Sequence, residues 1–263
     1  MKNYRRSRSI KYLIIIVLLI GIVGYFNRGM ITQNIQSLTT HSQVTNIDIK
    51  TDETSQPEKL ANLNFNGQSV ITVNNNQPTF SSDDLKQTKN GWQQLSSLDW
   101  LGRPQIANAL LNKNLMPPAQ KFKARERLTV KTPGYHAIKT GNNNTDWLYN
   151  RSHLIGYQFT GLNNEPKNLI TGTRQLNADS RKNAESMVTF ETEVADYLKQ
   201  SDAHFVRYQV EPIYRNVELV PRGVHMMGQS IDDESIRFNV YIYNVQDGWE
   251  INYLNGDAKK VNS

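Results

Sequence analysis

The chain of 263 residues contains no cysteine. This absence excludes a disulfide framework, a metal site built from thiolates and a cysteine nucleophile, so fold and chemistry must depend on other side chains. No period of about 20 to 50 residues repeats along the sequence, which excludes solenoid architectures. With 38% hydrophobic and 21% charged residues, the chain is long enough for a single globular domain plus additional segments.

Residues 1–28 hold six basic residues and no acidic residue. Their uncharged, mostly aliphatic run from Tyr12 to Phe26 predicts an export signal or a membrane anchor. No Ala-x-Ala-like cleavage site follows the run, which favours an uncleaved anchor over a cleaved signal that would release a secreted protein. The basic residues before the run place the N-terminus in the cytoplasm, so we expect a single-pass membrane protein whose larger part is extracellular.

Beyond the anchor, the composition changes twice. Residues 29–62 are rich in Thr, Gln, Asn and Ser and poor in aromatic residues, which predicts a flexible tether before a globular domain over residues 63–263. Pro104 is tolerated in a first helical turn and favours a helix over Gln105–Leu111. Strands are predicted over Ser69–Val73, Phe205–Val210 and Phe238–Val245. Strands on both sides of a central helix imply an α+β domain with a mostly antiparallel central sheet.

The central helix is predicted over Glu185–Gln200, where apolar residues recur at spacings of three and four. Glu191 falls inside this apolar stripe, whereas Glu185, Glu193 and Asp196 point to the opposite side. A carboxylate on a buried helix face is costly unless a charge, a water molecule bound to a metal ion or a hydrogen-bond donor meets it. Glu191 is therefore a candidate site residue.

The formal net charge of +6 is carried by the N-terminal segment. Without the six basic residues of the first 28, the remaining 24 basic residues equal the 24 acidic ones in number. The distribution is more informative, because twelve basic and only four acidic residues lie between Lys113 and Lys182. Such a region suits a polyanionic ligand, and a solvated charged face is the alternative interpretation.

The densest cluster of polar side chains is the tetrapeptide Asn150-Arg151-Ser152-His153, which apolar residues bracket. Pro166–Ile170 and Arg174–Asn177 follow along the chain. Hydrolysis of a phosphodiester needs a base for water, a cation for the charge developing on phosphate and stabilisation of the leaving oxygen. One histidine, one or more arginines and oxygen ligands for Mg²⁺ satisfy these needs.

Over residues 100–258 the sequence resembles the DNA/RNA non-specific endonucleases with a ββα-metal (His-Me) finger, in particular the streptococcal-type secreted and membrane-bound DNases. The tetrapeptide resembles the Asp-Arg-Gly-His motif of this family, with Asn150 and Ser152 in place of Asp and Gly. Asn168 and Asn177, nine residues apart, match the two asparagines of the family pattern. The resemblance implies that the α+β domain contains a ββα-metal finger.

The resemblance also implies a role for each matching residue. His153 is the expected general base that deprotonates water, and Asn177 is the expected direct protein ligand of magnesium. Asn168 is expected to hydrogen-bond His153 or its loop and so to orient the imidazole. Glu191 matches a glutamate that holds water around the metal, with Glu185 as the rival because some relatives place this glutamate eight residues after the asparagine.

Further motif and basic residues complete the expected site. Arg151 lies within the motif and joins the catalytic set, and Asn150 is assigned to substrate binding. Arg125 resembles a basic family position that contacts phosphate. Arg174 and Arg181 are candidates for phosphate contact, with a role as surface charges left open.

The function implied by the resemblance is a magnesium-dependent endonuclease that hydrolyses DNA with little sequence preference, with Mn²⁺ as a substitute metal and RNA as an open second substrate. Two alternatives stay open: a surface DNA-binding or uptake protein whose nuclease fold is inactive, and a cell-wall hydrolase that uses paired carboxylates. Nucleic acid is the expected partner, together with the membrane through the anchor, and no obligate protein partner is expected.

Overall fold

Most of the N-terminal segment lies outside the part of the chain that the structure describes. The chain divides into the units Met1–Val44 and Thr45–Ser263. The computed structural model describes residues 46–47, 56–86, 88–141 and 146–261. The predicted anchor over Tyr12–Phe26 therefore lies outside the described residues. Part of the segment predicted as a tether is folded, because residues 56–61 form a helix in which Leu60 is fully buried.

The predicted membrane location requires a correction. The sequence pattern indicated a single-pass membrane protein with its larger part outside the cell. Within the ranges that the structure describes, no helix combines the length and the apolar character that crossing a bilayer demands. This finding overturns the predicted location.

A seven-stranded sheet forms the centre of the domain. The strands in chain order are β1 (Asn46–Ile47), β2 (Val70–Val73), β3 (Trp92–Leu95), β4 (Ala107–Asn112), β5 (Tyr149–His153), β6 (Leu169–Thr173), β7 (Phe205–Ile213), β8 (Gly223–Ser230), β9 (Arg237–Tyr243), β10 (Trp249–Ile251) and β11 (Ala258–Lys260). The order in the central sheet is β1-β2-β9-β8-β7-β4-β3. Apart from the parallel pair β1–β2, its neighbouring strands pair antiparallel. The α+β class with a mostly antiparallel central sheet is thus confirmed.

Side chains of β9 show why this sheet is covered on both faces. Phe238, Val240 and Ile242 belong to the larger core cluster, whereas Tyr241 and Tyr243 belong to a second cluster. Successive side chains of a strand point to opposite faces, so this alternation places the two clusters on opposite sides of the sheet. The strand predicted from the same alternation is confirmed.

The helices are short except for the last one. They are α1 (Gln56–Ala61), α2 (Ala119–Lys123), α3 (Tyr157–Thr160), α4 (Arg174–Ala178) and α5 (Met187–Gln200). Helix α5 begins with a capping box between Ser186 and Thr189, which satisfies backbone donors of its first turn. Its apolar face packs on the sheet, where the rings of Phe190 and Phe238 lie 5.0 Å apart. The predicted central helix is therefore present and lies against the larger core cluster.

The segment predicted as a helix after Pro104 is instead strand β4. Ala107, Ala109 and Leu111 are fully buried and all belong to the larger core cluster, which is the period of a strand. Strand β4 pairs with β3 on one edge and with β7 on the other. These pairings satisfy its backbone groups, so the sheet overrides the local preference suggested by the proline.

Strands β5 and β6 form a separate antiparallel pair, and helix α4 follows β6 directly. The hydroxyl of Thr173 caps α4 by accepting a hydrogen bond from the N–H of Leu176 at 3.0 Å. Asn244, which follows β9, accepts from the N–H of Thr173 at 2.8 Å and donates to the carbonyl of Thr171 at 3.0 Å. The β5–β6–α4 unit is thereby attached to the central sheet.

Candidate active site

A cleft of about 670 Å³ opens beside the β5–β6–α4 unit. Strand β5 contributes Asn150, Arg151 and His153 of the polar tetrapeptide. Helix α4 contributes Asn177, and helix α5 contributes Glu191. The cleft is lined by Phe122, Arg125, Arg127, Leu128, Tyr135, Ala137, Trp147, Tyr149, Asn150, Arg151, His153, Gly156, Tyr157, Gln158, Asn177, Val188, Glu191 and Thr192. The residues predicted as base, metal ligand and supporting glutamate therefore share one cavity.

The imidazole of His153 is buried, with 9% of the residue exposed. Its Nε2 lies 2.8 Å from the backbone carbonyl oxygen of Asn163. A carbonyl can only accept a hydrogen bond, so Nε2 carries the proton in the neutral ring and Nδ1 keeps a free lone pair. Burial, together with the nearby charge of Arg125 and against the pull of the carbonyl, lowers the pKa of His153 to about 4. The ring is therefore neutral at physiological pH, in the form that accepts a proton.

Asn168 is fully buried and supports the loop after His153. Its Oδ1 accepts a hydrogen bond from the N–H of Ile155, and its Nδ2 donates to the carbonyl of the same residue, both at 2.9 Å. Its own carbonyl accepts from the N–H of Leu154 at 2.9 Å. Of the two expected partners, the imidazole and its loop, the structure places Asn168 on the loop.

Asn177 lies in helix α4 and is partly exposed in the cleft. Across the described residues its carboxamide takes part in no hydrogen bond, so its oxygen is available to a ligand. The same range contains no group of three or more histidine, cysteine, aspartate or glutamate side chains arranged to hold a metal ion. A metal in this cleft would therefore depend on few protein oxygens, among them the carboxamide of Asn177, and on water and substrate oxygens, which suits Mg²⁺.

Glu191 is buried on the inner face of α5, with 7% of the residue exposed. Burial raises the pKa of its carboxyl group to about 8. Its hydrogen-bond partner among the described residues is Gln158, whose Nε2 donates to Oε2 at 3.4 Å. Gly156 lies directly beside it, and a Cβ atom at that glycine would meet the carboxylate oxygen at 2.8 Å. Because glycine has no side chain, Gly156 leaves room for the Glu191 carboxylate next to the cleft.

Glu185, the rival for the supporting role, lies outside the residues that line the cleft. It precedes the capping residue of α5 and is partly exposed. The burial predicted for Glu191 from helical periodicity is found, and the position of Glu185 gives it no contact with the cavity.

Two of the predicted arginines reach the cleft. The guanidinium of Arg125 lies 4.5 Å from the ring centroid of Tyr157, a cation–π contact that leaves its charge near His153. Arg151 lies 4.2 Å over the ring of Tyr135, and its Nε donates to the carbonyl of Val130 at 2.5 Å. Both guanidinium groups are therefore held by aromatic faces in the cavity wall.

The other predicted substrate contacts divide between the cleft and the surface. Asn150 lines the cleft, and its Nδ2 is buried without an acceptor in the described part of the chain. Arg174 is exposed in the first turn of α4 and does not line the cavity. Arg181 also lies outside it and forms ion pairs with Asp179 and Asp247. These two carboxylates pair with the guanidinium of Arg181, which the sequence analysis had considered as a phosphate contact.

Several residues of the site were missed from the sequence. Asn163 supplies the imidazole's partner through a backbone carbonyl, an atom that every residue type carries and that no side-chain pattern identifies. Arg127 lines the cleft two residues after Arg125, so the spacing in the basic segment was a usable signal. Gly156, three residues after His153, was a second usable signal, because glycine allows close approach of other groups.

Comparisons with known proteins agree with this geometry. The family model for DNA/RNA non-specific endonucleases matches residues 83–232. A deoxyribonuclease of Streptococcus dysgalactiae subsp. equisimilis is 30% identical over 130 residues, and the match spans 49% of this chain but only 38% of that relative.

Two solved structures extend the likeness to the fold. NucA from Streptococcus agalactiae, with a magnesium ion bound, superposes with a TM-score of 0.64 at 26% identity and covers 73% of this chain and 88% of its own. The Sda1 nuclease, with a zinc ion bound, superposes with a TM-score of 0.56 at 26% identity and covers 65% of this chain and 80% of its own. The resemblance drawn from the tetrapeptide and the two asparagines is confirmed. Because the family model covers more than half of the sequence, the chain belongs to the DNA/RNA non-specific endonuclease family.

Proposed function

We propose that the protein is a magnesium-dependent endonuclease that hydrolyses phosphodiester bonds of DNA with little sequence preference. In this proposal the β5–β6–α4 unit is a ββα-metal finger, His153 is the general base and Asn177 is the metal ligand. One observation carries the proposal: Nε2 of His153 is engaged by a carbonyl, which leaves Nδ1 as a base in the same cleft as the unengaged carboxamide of Asn177.

The donor set of the cleft favours a hard cation. Asn177 and Glu191 offer oxygen atoms only, and the chain has no cysteine to favour a softer metal. Mg²⁺ prefers such ligands and keeps several waters, and Mn²⁺ accepts the same donors. Asn177 would hold the ion directly and Glu191 would hold water around it. The bound cation would supply positive charge against the phosphate as negative charge develops there. The magnesium ion in the related NucA structure supports this assignment.

The chain's own residues provide the remaining chemistry. Nδ1 of His153 would accept a proton from the attacking water, and the Asn163 carbonyl would stabilise the ring that becomes positively charged. Arg125 and Arg151 would bind phosphate oxygens through charge-assisted hydrogen bonds. Contacts of this kind carry no sequence information, which accounts for cleavage with little sequence preference. DNA is the proposed substrate because the curated relative is a deoxyribonuclease, and RNA is a second substrate to be tested.

A plasmid cleavage assay on the full chain tests this proposal. We expect supercoiled DNA to be nicked with Mg²⁺ and to stay intact with EDTA or with His153→Ala. His204→Ala is the matched control, because His204 stacks on Tyr197 outside the cleft, and it should cut like the parent. DNA retardation without cleavage at any metal concentration would instead support a binding protein with an inactive nuclease fold. Undiminished cutting by His153→Ala would refute the mechanism.

A further inference from the structure

Residues 119–131, which we call the basic arm, form a positively charged edge of the cleft. The arm contains five basic residues, at positions 121, 123, 125, 127 and 131, and a single acidic residue, Glu126. After α2 it adopts neither helix nor strand, and most of its residues are exposed. Neither a strand ladder nor a buried apolar face fixes its position, so other contacts must hold it.

Asn164 holds the far end of the basic arm. Its Oδ1 accepts hydrogen bonds from the backbone N–H groups of Thr129 and Val130, both at 3.1 Å. Its Nδ2 donates to the hydroxyl of Thr129 at 2.6 Å. One side chain thus satisfies two consecutive backbone donors of a segment that lacks regular structure.

Asn163 holds the middle of the arm and also contacts the proposed base. Its Nδ2 donates to the carbonyl of Glu126 at 2.8 Å, and its Oδ1 accepts from Nε of Arg125 at 2.8 Å. Its backbone carbonyl is the acceptor for Nε2 of His153. A single residue therefore ties the guanidinium of Arg125 and the backbone of the arm to the imidazole.

We propose that Asn163 and Asn164 are positioning residues that fix the basic arm relative to His153, so that Arg125 and Arg127 meet the phosphates next to the one attacked. A preformed arm loses less freedom on binding than a loose one, which favours affinity for long nucleic acids. The inference rests on the proposed nuclease function. It goes further in dividing the site into a reaction centre and an arm that acts on polymeric substrates.

The first test measures the mobility of the basic arm and does not depend on nuclease activity. Because the chain has no cysteine, Ala124→Cys in the full-length protein provides a single exposed attachment point for a spin label. We expect Asn163→Ala and Asn164→Ala each to make the label more mobile in its electron paramagnetic resonance spectrum. Asn66→Ala, which removes an exposed turn asparagine elsewhere, is the control and should leave the spectrum unchanged. Unchanged mobility of the label in both Asn163→Ala and Asn164→Ala would overturn the proposal.

The second test compares a long DNA with bis(p-nitrophenyl) phosphate, a small diester that cannot reach along the arm. We expect Asn164→Ala to raise KM for DNA by about 3- to 10-fold, and to lower the salt dependence of binding by about one phosphate contact. Its kcat on DNA and its rate on the small diester should change less than about twofold. An equal loss on both substrates would indicate a purely structural role and would overturn the proposal. If the parent cleaves neither substrate, the proposed function fails, while the spin-label result still decides the role of the asparagines.

Discussion

Burial acts in opposite directions on the two ionisable side chains at the centre of the cleft. It lowers the pKa of His153 to about 4, which keeps the imidazole neutral. It raises the pKa of Glu191 to about 8, which keeps the carboxyl protonated near neutral pH when no cation is present. The proposed hydrolysis requires a neutral imidazole at His153, which can accept a proton. It also requires that the carboxyl group of Glu191 becomes charged when a cation binds.

The lowered pKa of His153 predicts the acidic limit of activity. Only the unprotonated ring can accept a proton, so kcat/KM should stay level as pH falls and decline only as pH approaches about 4. An exposed histidine would give this decline near its ordinary value of 6.5. The measurement is kcat/KM for bis(p-nitrophenyl) phosphate as a function of pH, at saturating Mg²⁺ and constant ionic strength.

A substitution at Arg125 tests the origin of this profile, because the positive charge of Arg125 contributes to the low pKa of His153. Arg125→Gln should move the acidic limb to higher pH. Lys121→Gln removes an equal charge from the exposed part of the basic arm and should leave the limb in place. A limb at 6.5 in the parent, or an equal shift in both variants, would contradict this assignment of the base.

Glu191 predicts an opposition between stability and function. Its pKa is raised in the folded protein from an ordinary 4.5 to about 8, so its contribution to stability is complete below 4.5 and is lost as pH rises through 8. Without metal, the parent should therefore lose stability between pH 5 and pH 9. Glu191→Gln should remove this loss and raise Tm at pH 9 by roughly 3 to 6 °C, while lowering nuclease activity.

Thermal melting in EDTA measures this difference. Glu193→Gln is the matched control, because Glu193 is exposed on the same helix, and it should change Tm by less than about 1 °C. A Glu191→Gln variant that melts lower than the parent at pH 9 would show that the carboxylate is stabilised by a partner in the absence of metal.

Among the elements, the position of the β5–β6–α4 unit depends on a buried asparagine that directly follows strand β9. Asn244 is fully buried and hydrogen-bonds the unit at Thr173 and Thr171. It also donates to the carbonyl of Pro221 at 2.9 Å. Helix α4, which carries Asn177, begins immediately after Thr173. The proposed metal ligand is therefore placed by a contact outside the cleft.

Replacing this asparagine should affect stability and metal use together. Asn244→Ala removes three hydrogen bonds and leaves buried groups without partners, so we expect a loss of about 2 to 4 kcal/mol in the free energy of unfolding. The Mg²⁺ concentration for half-maximal cleavage should rise several-fold, because α4 loses its attachment. Denaturant melts and a metal titration of plasmid cleavage provide the two measurements.

Asn239 offers a close control within β9. It is also fully buried and hydrogen-bonds His225 and the carbonyl of Gln77. Asn239→Ala should destabilise the fold by a similar amount and leave the Mg²⁺ requirement unchanged. An equal change in metal requirement for both variants would mean that general destabilisation, and not the attachment of α4, sets metal use.

The spacing of apolar residues predicted those elements in which apolar and polar side chains point to different faces. Helix α5 and strand β9 were found where apolar spacings of three to four and of two had placed them. Strand β4 was missed because its pairing with β3 and β7 decides its structure, and β7 lies far from it in sequence. Helix α1 was missed because the polar composition around it concealed Leu60 and Ala61, which belong to the second core cluster.

At the scale of the whole molecule, the motif predicted which residue types meet in the cleft but not which atoms hold them. His153, Asn177, Glu191, Arg125 and Arg151 line one cavity, as the resemblance implied. The partner of the imidazole is a backbone carbonyl, which has no sequence signature. The ion pairs that occupy Arg181 include a carboxylate from a distant part of the chain, a contact that only the fold reveals.

Chemical rescue by free imidazole probes the proposed role of His153 as the base in a cleft where Asn177 would bind the metal. The measurement is the single-turnover hydrolysis of bis(p-nitrophenyl) phosphate by His153→Ala at saturating Mg²⁺, with and without added imidazole. We expect the substitution to cost about 10²- to 10⁴-fold in rate and added imidazole to restore at least about tenfold of that loss, with no such recovery in Asn177→Ala. A folded His153→Ala protein that retains the parental rate, or whose rate does not respond to imidazole, would refute the assignment of His153 as the general base.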